Sequence, residues 1–204
     1  MRSLSAKKLL LYLGGFLLFV CIPRVLSDET IEIILKQASQ NIDGGDYERA
    51  LALYLKTFPR LSELSDTERS RILNNIGFCA FKTGNIIMAE SYYRQALELD
   101  GEYVTCLNNL GALLMVQGRY RDANVFLKRA DAKEDRNIKV IFNLAVCAGR
   151  LENETDLLHY MKRAFELNED YTYQRLKKNN IGRREIRLLK ERIAKLEIDH
   201  DFIS

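Results

Sequence analysis

Residues that commonly perform catalysis are scarce in this chain. Its 204 residues include only two histidines, His159 and His200, and no Cys-x-x-Cys pair, glycine-rich phosphate loop or Gly-x-Ser-x-Gly sequence. His200 lies between Asp199 and Asp201 in a short tail without a second group of metal ligands, which favours a solvated terminus over a metal site. We therefore expect no catalytic residues, no metal and no cofactor.

A long apolar run is also missing. The uncharged stretch from Leu9 to Ile22 is shorter than the roughly 20 residues that a membrane-spanning helix needs. It follows three basic residues and is followed by the small residue Ser27, which predicts a secretory signal cleaved after Ser27. An uncleaved N-terminal anchor, associated with the membrane through residues 9–22, and a lipid on Cys21 are the alternatives. All three place the remaining chain outside the cytoplasm, in the periplasm or secreted.

The basic character of the whole chain depends on that leader. Residues 1–27 hold four of the 31 Lys and Arg residues and none of the 28 acids, so the remainder has a formal charge of 27 − 28 = −1. Between Arg175 and Lys195, nine basic residues stand against two glutamates. The chain thus has a basic end on a slightly acidic body, and we expect no nucleic-acid partner.

Paired cysteines are not expected either. Cys79, Cys106 and Cys147 remain after cleavage, an odd number for an exported protein. Counted round a helix at about 100° per residue, all three fall on the same flank of equivalent helices and should not meet. We expect small, buried, reduced side chains.

What the chain does have is a repeat of 34 residues. Leu73, Ile76, Gly77 and Ala80 show the i, i+3, i+4, i+7 spacing of one helix face, and a second helical stripe follows the break at Gly84. Each unit is therefore predicted to be a helical hairpin, in which small residues let the two helices approach closely. The small positions that recur every 34 residues are Gly77, Gly111 and Ala145 in the first helix and Ala96, Ala130 and Ala164 in the second.

The sequence resembles the tetratricopeptide repeat (TPR) family in its 34-residue period, in the Ile76-Gly77 and Leu110-Gly111 pairs, and in the spacing from Gly84 to Ala89. The resemblance implies an all-α fold, an α-solenoid of about four TPR helical hairpins plus a C-terminal capping helix. It also implies a non-enzymatic protein that binds a protein or peptide partner. The chain departs from the family pattern at Glu152 and in having no proline to close a unit.

The predicted domains follow the repeat. Residues 1–27 form the signal or anchor, residues 28–171 the solenoid and residues 172–204 the capping helix and tail. The repeats span about 31–64, 70–103, 104–137 and 138–171. The first copy is offset by 39 residues, which leaves about five extra residues around Leu61 to Ser65, and Ser65 with Glu68 predicts a capping box that restarts the helix.

Two further segments have competing interpretations. The helix predicted from Arg183 to Glu197 is either a cap over the last apolar face, which we favour, or a two-heptad pairing helix. Its basic side could contact an acidic surface such as anionic lipid, or be simply solvated. Asn153, Glu154 and Thr155 form a glycosylation sequon, but we favour a structural role in which Asn153 is the left-handed turn residue.

The partner-binding site is predicted on the side of the first helices that lines the concave face of the solenoid. Asn can hydrogen-bond a peptide backbone, while Phe and Met offer adaptable apolar contacts. Two alternatives remain open: the asparagines could be structural, and the chain's own first helices could cover Phe78 and Phe81. The family's clamp for a terminal carboxylate looks absent, since Leu35 and Ser39 stand where Lys and Asn would be needed. The concave face comprises Arg71, Asn74, Asn75, Phe78, Phe81, Lys82, Thr105, Asn108, Asn109, Ala112, Met115, Val116, Lys139, Phe142, Asn143, Val146 and Arg150.

These features predict a scaffold or adaptor of the cell envelope. An accessory subunit of an envelope assembly machine or motor is the nearest alternative. A small-ligand carrier or enzyme with a closed groove is the alternative from a different class, but it would need a deep pocket lined with ionisable groups.

Overall fold

The chain folds into a row of helices after a short pair of strands. The structure, a computed structural model, describes residues 9–13, 16–20, 30–179 and 183–201. Strands β1 (Leu9–Leu13) and β2 (Phe16–Val20) pair antiparallel. The helices are α1 (Ile31–Asp43), α2 (Tyr47–Lys56), α3 (Asp66–Lys82), α4 (Ile86–Leu99), α5 (Val104–Val116), α6 (Tyr120–Lys133), α7 (Ile138–Arg150), α8 (Glu154–Leu167), α9 (Glu169–Lys178) and α10 (Arg183–Asp201).

The apolar N-terminal run thus forms the two strands in this structure. The predicted cleavage point after Ser27 and the alternative lipid site at Cys21 lie outside the described residues. Among the helices described, none combines the length and the apolar character needed to cross a membrane.

Helices pack in sequential pairs, α1 with α2, α3 with α4, α5 with α6 and α7 with α8. The second helix of each pair contacts the first helix of the next pair, so the four hairpins form a continuous stack. This arrangement confirms the predicted all-α solenoid of four hairpins.

The hairpins close tightly at the small residues of the repeat. A β-carbon built on Gly77 would lie 2.8 Å from the Tyr93 ring, and one built on Gly111 would lie 2.7 Å from Cγ of Leu127. Such distances are well inside van der Waals contact, so a β-carbon at either crossing would force the neighbouring side chain or helix to shift. The prediction that small residues permit close helix approach is confirmed.

The five extra residues lie between α2 and α3. This connection contains the 3₁₀ helix Phe58–Glu63, and α3 begins after a complete capping box. The Glu68 backbone N–H donates to Oγ of Ser65, and the Ser65 backbone N–H donates to the Glu68 carboxylate at 2.9 Å. Hydrogen bonds from Ser65 hold the pKa of Glu68 below its usual range. Both predictions for this segment are confirmed.

The turn of the last hairpin differs from the prediction. Gly84 and Gly118 have φ values of 84° and 76° in the equivalent turns, and here Glu152 takes that position with φ 57°. Asn153 instead has φ −89° and caps α8 by accepting a hydrogen bond from the Asp156 backbone N–H at 3.0 Å. The interpretation of Asn153 as the left-handed residue is therefore wrong. The left-handed conformation belongs to the turn position of Gly84 and Gly118, and Glu152 occupies that position in the last hairpin.

The C-terminal helices cover the end of the stack. Ile186 and Ile193 of α10 are buried in the same core as the last three hairpins, and α10 packs against α8 and α9. This burial favours the cap over the pairing helix. Lys190 and Arg192 form ion pairs with Glu169 and Glu154, so the exposed positive charge of α10 is lower than its composition indicates. Helix α9 begins at Glu169, so the boundary predicted at residue 171 falls inside it.

The three cysteines of the solenoid are inert core residues. Cys79, Cys106 and Cys147 are free, and all have zero exposed fraction. Burial raises their thiol pKa values to about 11, 12 and 12. At neutral pH these thiols are protonated and therefore poor nucleophiles, which confirms the expectation of buried, unpaired side chains.

Candidate partner-binding face

The predicted site residues differ widely in exposure. Lys82 is exposed, while Asn74, Phe142 and Asn143 are buried. The others are half-buried, namely Asn75, Phe78, Phe81, Asn108, Asn109, Met115 and Val146.

The asparagines form a ladder that links the first helices of neighbouring hairpins. Asn143 of α7 donates from Nδ2 to Oδ1 of Asn108 in α5 at 2.9 Å. Asn109 of α5 donates in the same way to Asn74 of α3 at 3.0 Å. Each step joins residues 35 positions apart, one more than the repeat, so equivalent hydrogen bonds link α7 to α5 and α5 to α3.

The ladder ends differently at the N-terminal hairpin. Asn74 donates to Oδ1 of Asn75 at 3.2 Å, and Asn75 donates to the Tyr54 hydroxyl at 3.0 Å. The apolar residue Leu35 stands where an asparagine acceptor would continue the series, which explains the change of partner. The asparagines therefore have a structural role, and their use in binding a peptide stays a prediction.

Phe142 does not belong to the exposed groove, and its inclusion in the predicted site is wrong. Its exposed fraction is 1%. The Tyr171 ring meets it edge-on with centroids 6.4 Å apart, and the Arg175 guanidinium lies 5.2 Å from its ring centroid. Helix α9 covers the last hairpin at this point, so Phe142 is a core residue.

Phe78 and Lys82 pack against the preceding hairpin. Tyr47, the first residue of α2, meets Phe78 edge-on at 5.8 Å, and Nζ of Lys82 lies 5.6 Å from the Tyr47 ring and 5.4 Å from the Phe78 ring. These contacts support the alternative that the chain partly covers Phe78. Sequence reasoning missed Tyr47, although it opens the second helix after a turn signal.

The same contact recurs two hairpins later. The Arg150 guanidinium lies 6.0 Å from the ring of Tyr120, the first residue of α6. In the intervening hairpin Val116 occupies the position of the cation and is 67% exposed. The rim of the concave face thus has two cations held on tyrosine rings with an exposed valine between them.

A cavity of about 300 Å³ opens between α1 and α3. Arg71 and Glu68 are its charged residues, and Leu35 and Ile72 give it an apolar wall. Leu35 and Ser39 stand where the family's carboxylate clamp would need Lys and Asn. Both line this cavity, because they fall at concave-face positions of the first hairpin. Its lining residues are Leu35, Ser39, Tyr54, Glu68, Arg71, Ile72 and Asn75.

Over the described residues, no group of three or more His, Cys, Asp or Glu side chains is placed to hold a metal ion. His159 is exposed, and its ring packs edge-on against that of Tyr160 at 5.2 Å. The arrangement offers hydrogen bonds, apolar contacts and positive charge, which suit binding.

Comparison with protein families finds two matches to the tetratricopeptide repeat, over residues 70–103 and 104–130. Photosystem I assembly protein Ycf3 from Prochlorococcus marinus strain MIT 9215 is 29% identical over 103 residues, covering 50% of this chain and 57% of Ycf3. Ycf37 from Porphyra purpurea is 31% identical over 71 residues, covering 35% of this chain and 37% of that protein. The chain therefore spans about half or less of the length of these relatives.

Solved structures share the fold at low sequence identity. A MamA fragment from Desulfovibrio magneticus RS-1 superposes with a TM-score of 0.64 at 17% identity, covering 86% of this chain and 98% of the fragment. PilF from Pseudomonas aeruginosa has a TM-score of 0.64 at 16% identity, with coverages of 75% and 68%. YrrB, described as a TPR protein with an unusual peptide-binding site, has a TM-score of 0.60 at 15% identity, with coverages of 74% and 76%.

Proposed function

This chain belongs to the tetratricopeptide repeat family, and from that premise we propose that it is a non-enzymatic scaffold that binds an extended partner segment along its concave face. Proteins of this family bind protein or peptide partners and are generally not enzymes. The observation that carries the proposal is the composition of the face: exposed Val116, half-buried Met115 and Val146, and a cavity beside Arg71. The face therefore offers both apolar and polar groups to an extended chain.

The rigidity of the face supports the same proposal. Its asparagine ladder fixes the spacing of α3, α5 and α7, so the apolar side chains between them need little rearrangement to accept a ligand. A preorganised site loses less conformational entropy on binding.

We place the protein in the cell envelope, outside the cytoplasm. The support is the order of basic residues, apolar run and small residue that precedes Asp28. N-terminal sequencing of the native protein tests this placement, and a mature chain that keeps residues 1–27 and fractionates with cytoplasmic proteins would refute it.

A role in assembling a larger complex is the second candidate. It is favoured by the alignment with Ycf3, a photosystem I assembly protein, over half of this chain. An accessory subunit of an envelope assembly machine would use the same concave face, so the two candidates differ in the partner and not in the site.

Val116→Asp is expected to weaken partner capture at least tenfold, which corresponds to about 1.4 kcal/mol, because it places a carboxylate at an exposed apolar position on the rim of the face. Val125→Asp is the matched control, since Val125 of α6 is 58% exposed on a second helix, away from the face. Crosslinking in native cells followed by quantitative pull-down measures both variants, with circular dichroism to verify folding. Equal capture by the two variants would move the binding site to the second helices or to residues 183–197.

A further inference from the structure

Charge on the concave face has a single sign. The face defined above contains Arg71, Lys82, Lys139 and Arg150 but no acidic residue, and all four cations are exposed. Within the described part of the chain, none of the four has a carboxylate oxygen within ion-pair distance.

Several basic residues elsewhere on the solenoid form ion pairs with acids. Arg94 and Arg119 both pair with Glu90, with nitrogen to oxygen distances of 2.7 and 3.0 Å. Arg163 pairs with Asp131 at 2.9 Å. The chain after residue 27 has a formal charge of −1, so the four positive charges of the face do not reflect a general excess of base.

Two of the cations are also held in place. Lys82 rests on the rings of Tyr47 and Phe78, and Arg150 rests on Tyr120, at 5.4 to 6.0 Å from the ring centroids. These contacts reduce the entropy that each long side chain would lose on meeting an anion. A concave surface lined by charges of one sign also concentrates their potential and speeds the approach of an opposite charge.

Acids adjoin the face at two points, Glu68 in the cavity beside Arg71, and Glu134 with Asp135 in the pocket that Lys139 lines. Glu68 lines the cavity beside Arg71, but its carboxylate accepts hydrogen bonds from the Ser65 backbone N–H and hydroxyl at 2.9 and 2.6 Å. It therefore serves the capping box of α3, while Arg71 is exposed and hydrogen-bonds the Tyr103 side chain.

We infer that the partner segment bound along the concave face is acidic, with Asp or Glu side chains opposite Arg71, Lys82, Lys139 and Arg150. This inference rests on the proposed function and specifies its partner. The acidic groups are side chains spread along the segment, because two of the cations lie on α3 and two on α7, with α5 between them. Val116 and the cavity between α1 and α3 take apolar side chains between the acids.

The test is selection of random peptides displayed on phage, each about twelve residues and so roughly 40 Å when extended, against the immobilised full-length chain. Enriched peptides are expected to carry an excess of Asp and Glu. Fluorescence anisotropy then measures the Kd of an enriched peptide. Removing the four cations should raise this Kd at least tenfold, and added salt should raise the Kd of the wild-type protein. The face variant carries Arg71→Gln, Lys82→Gln, Lys139→Gln and Arg150→Gln.

A matched control removes four positive charges from the second helices and should leave the Kd within about twofold, since charges on the outer side are screened. Enrichment of neutral or basic peptides, or an acidic peptide whose Kd is the same for the face variant, would overturn the inference while leaving peptide binding intact. If the selection enriches no peptide whose binding is weakened by Val116→Asp, the proposed function is overturned as well. The control carries Arg49→Gln, Lys56→Gln, Arg121→Gln and Lys128→Gln.

Discussion

Replacing Gly111 with alanine is expected to lower the melting temperature, although alanine is ordinarily the better helix residue. The added β-carbon would lie 2.7 Å from Cγ of Leu127, so either the Leu127 side chain or the α5–α6 crossing must shift. Overpacking of this kind costs about 1 to 3 kcal/mol, which is roughly 2 to 12 °C in a chain of this size, and Gly111→Leu should cost more.

Gly149 in α7 provides the matched control. A β-carbon there would meet only Leu157, at 3.7 Å, which is ordinary contact distance. Gly149→Ala should therefore stabilise the protein by about 0.5 to 1 kcal/mol through helix propensity. Thermal unfolding followed by circular dichroism compares the two variants. If Gly111→Ala melts at or above the wild-type temperature, the close crossing of α5 and α6 is not as described.

The features that follow from the repeat are the ones that sequence reasoning located correctly. A 34-residue period with apolar positions at helical spacing specifies hairpins, and a small residue within each stripe specifies their closest approach, as Gly77 and Gly111 show. The capping box at Ser65 was equally visible, because it depends on two side chains three residues apart. All of these are local patterns, and their outcome does not depend on distant parts of the chain.

The candidate site was harder to predict because its exposure depends on contacts between units. Helical phase correctly put the asparagines on one face, but phase alone does not show that Asn109 bonds to Asn74 and Asn143 to Asn108. The turn at Glu152 was also hard to predict. Glutamate rarely adopts a positive φ, but the geometry of the hairpin imposes one at this position.

Phe142 was misplaced because the element that covers it lies outside the repeat. The 34-residue register fails where Lys178 and Asn179 replace a Leu-Gly pair, so the pattern does not predict how α9 packs. In the structure Tyr171 and Arg175 of α9 lie over the ring. A position that faces the groove in a middle unit therefore becomes core in the last unit.

Phe142→Ala is accordingly expected to destabilise the C-terminal end by about 3 to 5 kcal/mol, the usual cost of truncating a buried phenylalanine. Phe142→Asp should cost at least as much, because it also buries a carboxylate, unless Arg175 moves to pair with it. Since each unit of a solenoid contacts only its neighbours, the loss should appear first as early unfolding of α7 to α10 while α1 to α4 remain protected.

Hydrogen exchange measured by mass spectrometry resolves the two ends of the stack, and urea unfolding gives the total change in free energy. Val116→Ala is the control, because it removes apolar atoms from a 67% exposed residue of the same face and should change stability by no more than about 0.5 kcal/mol. Wild-type exchange rates across α7 to α10 in Phe142→Ala would mean that α9 does not cover the ring, and Phe142 would then return to the partner-binding face as an exposed apolar anchor.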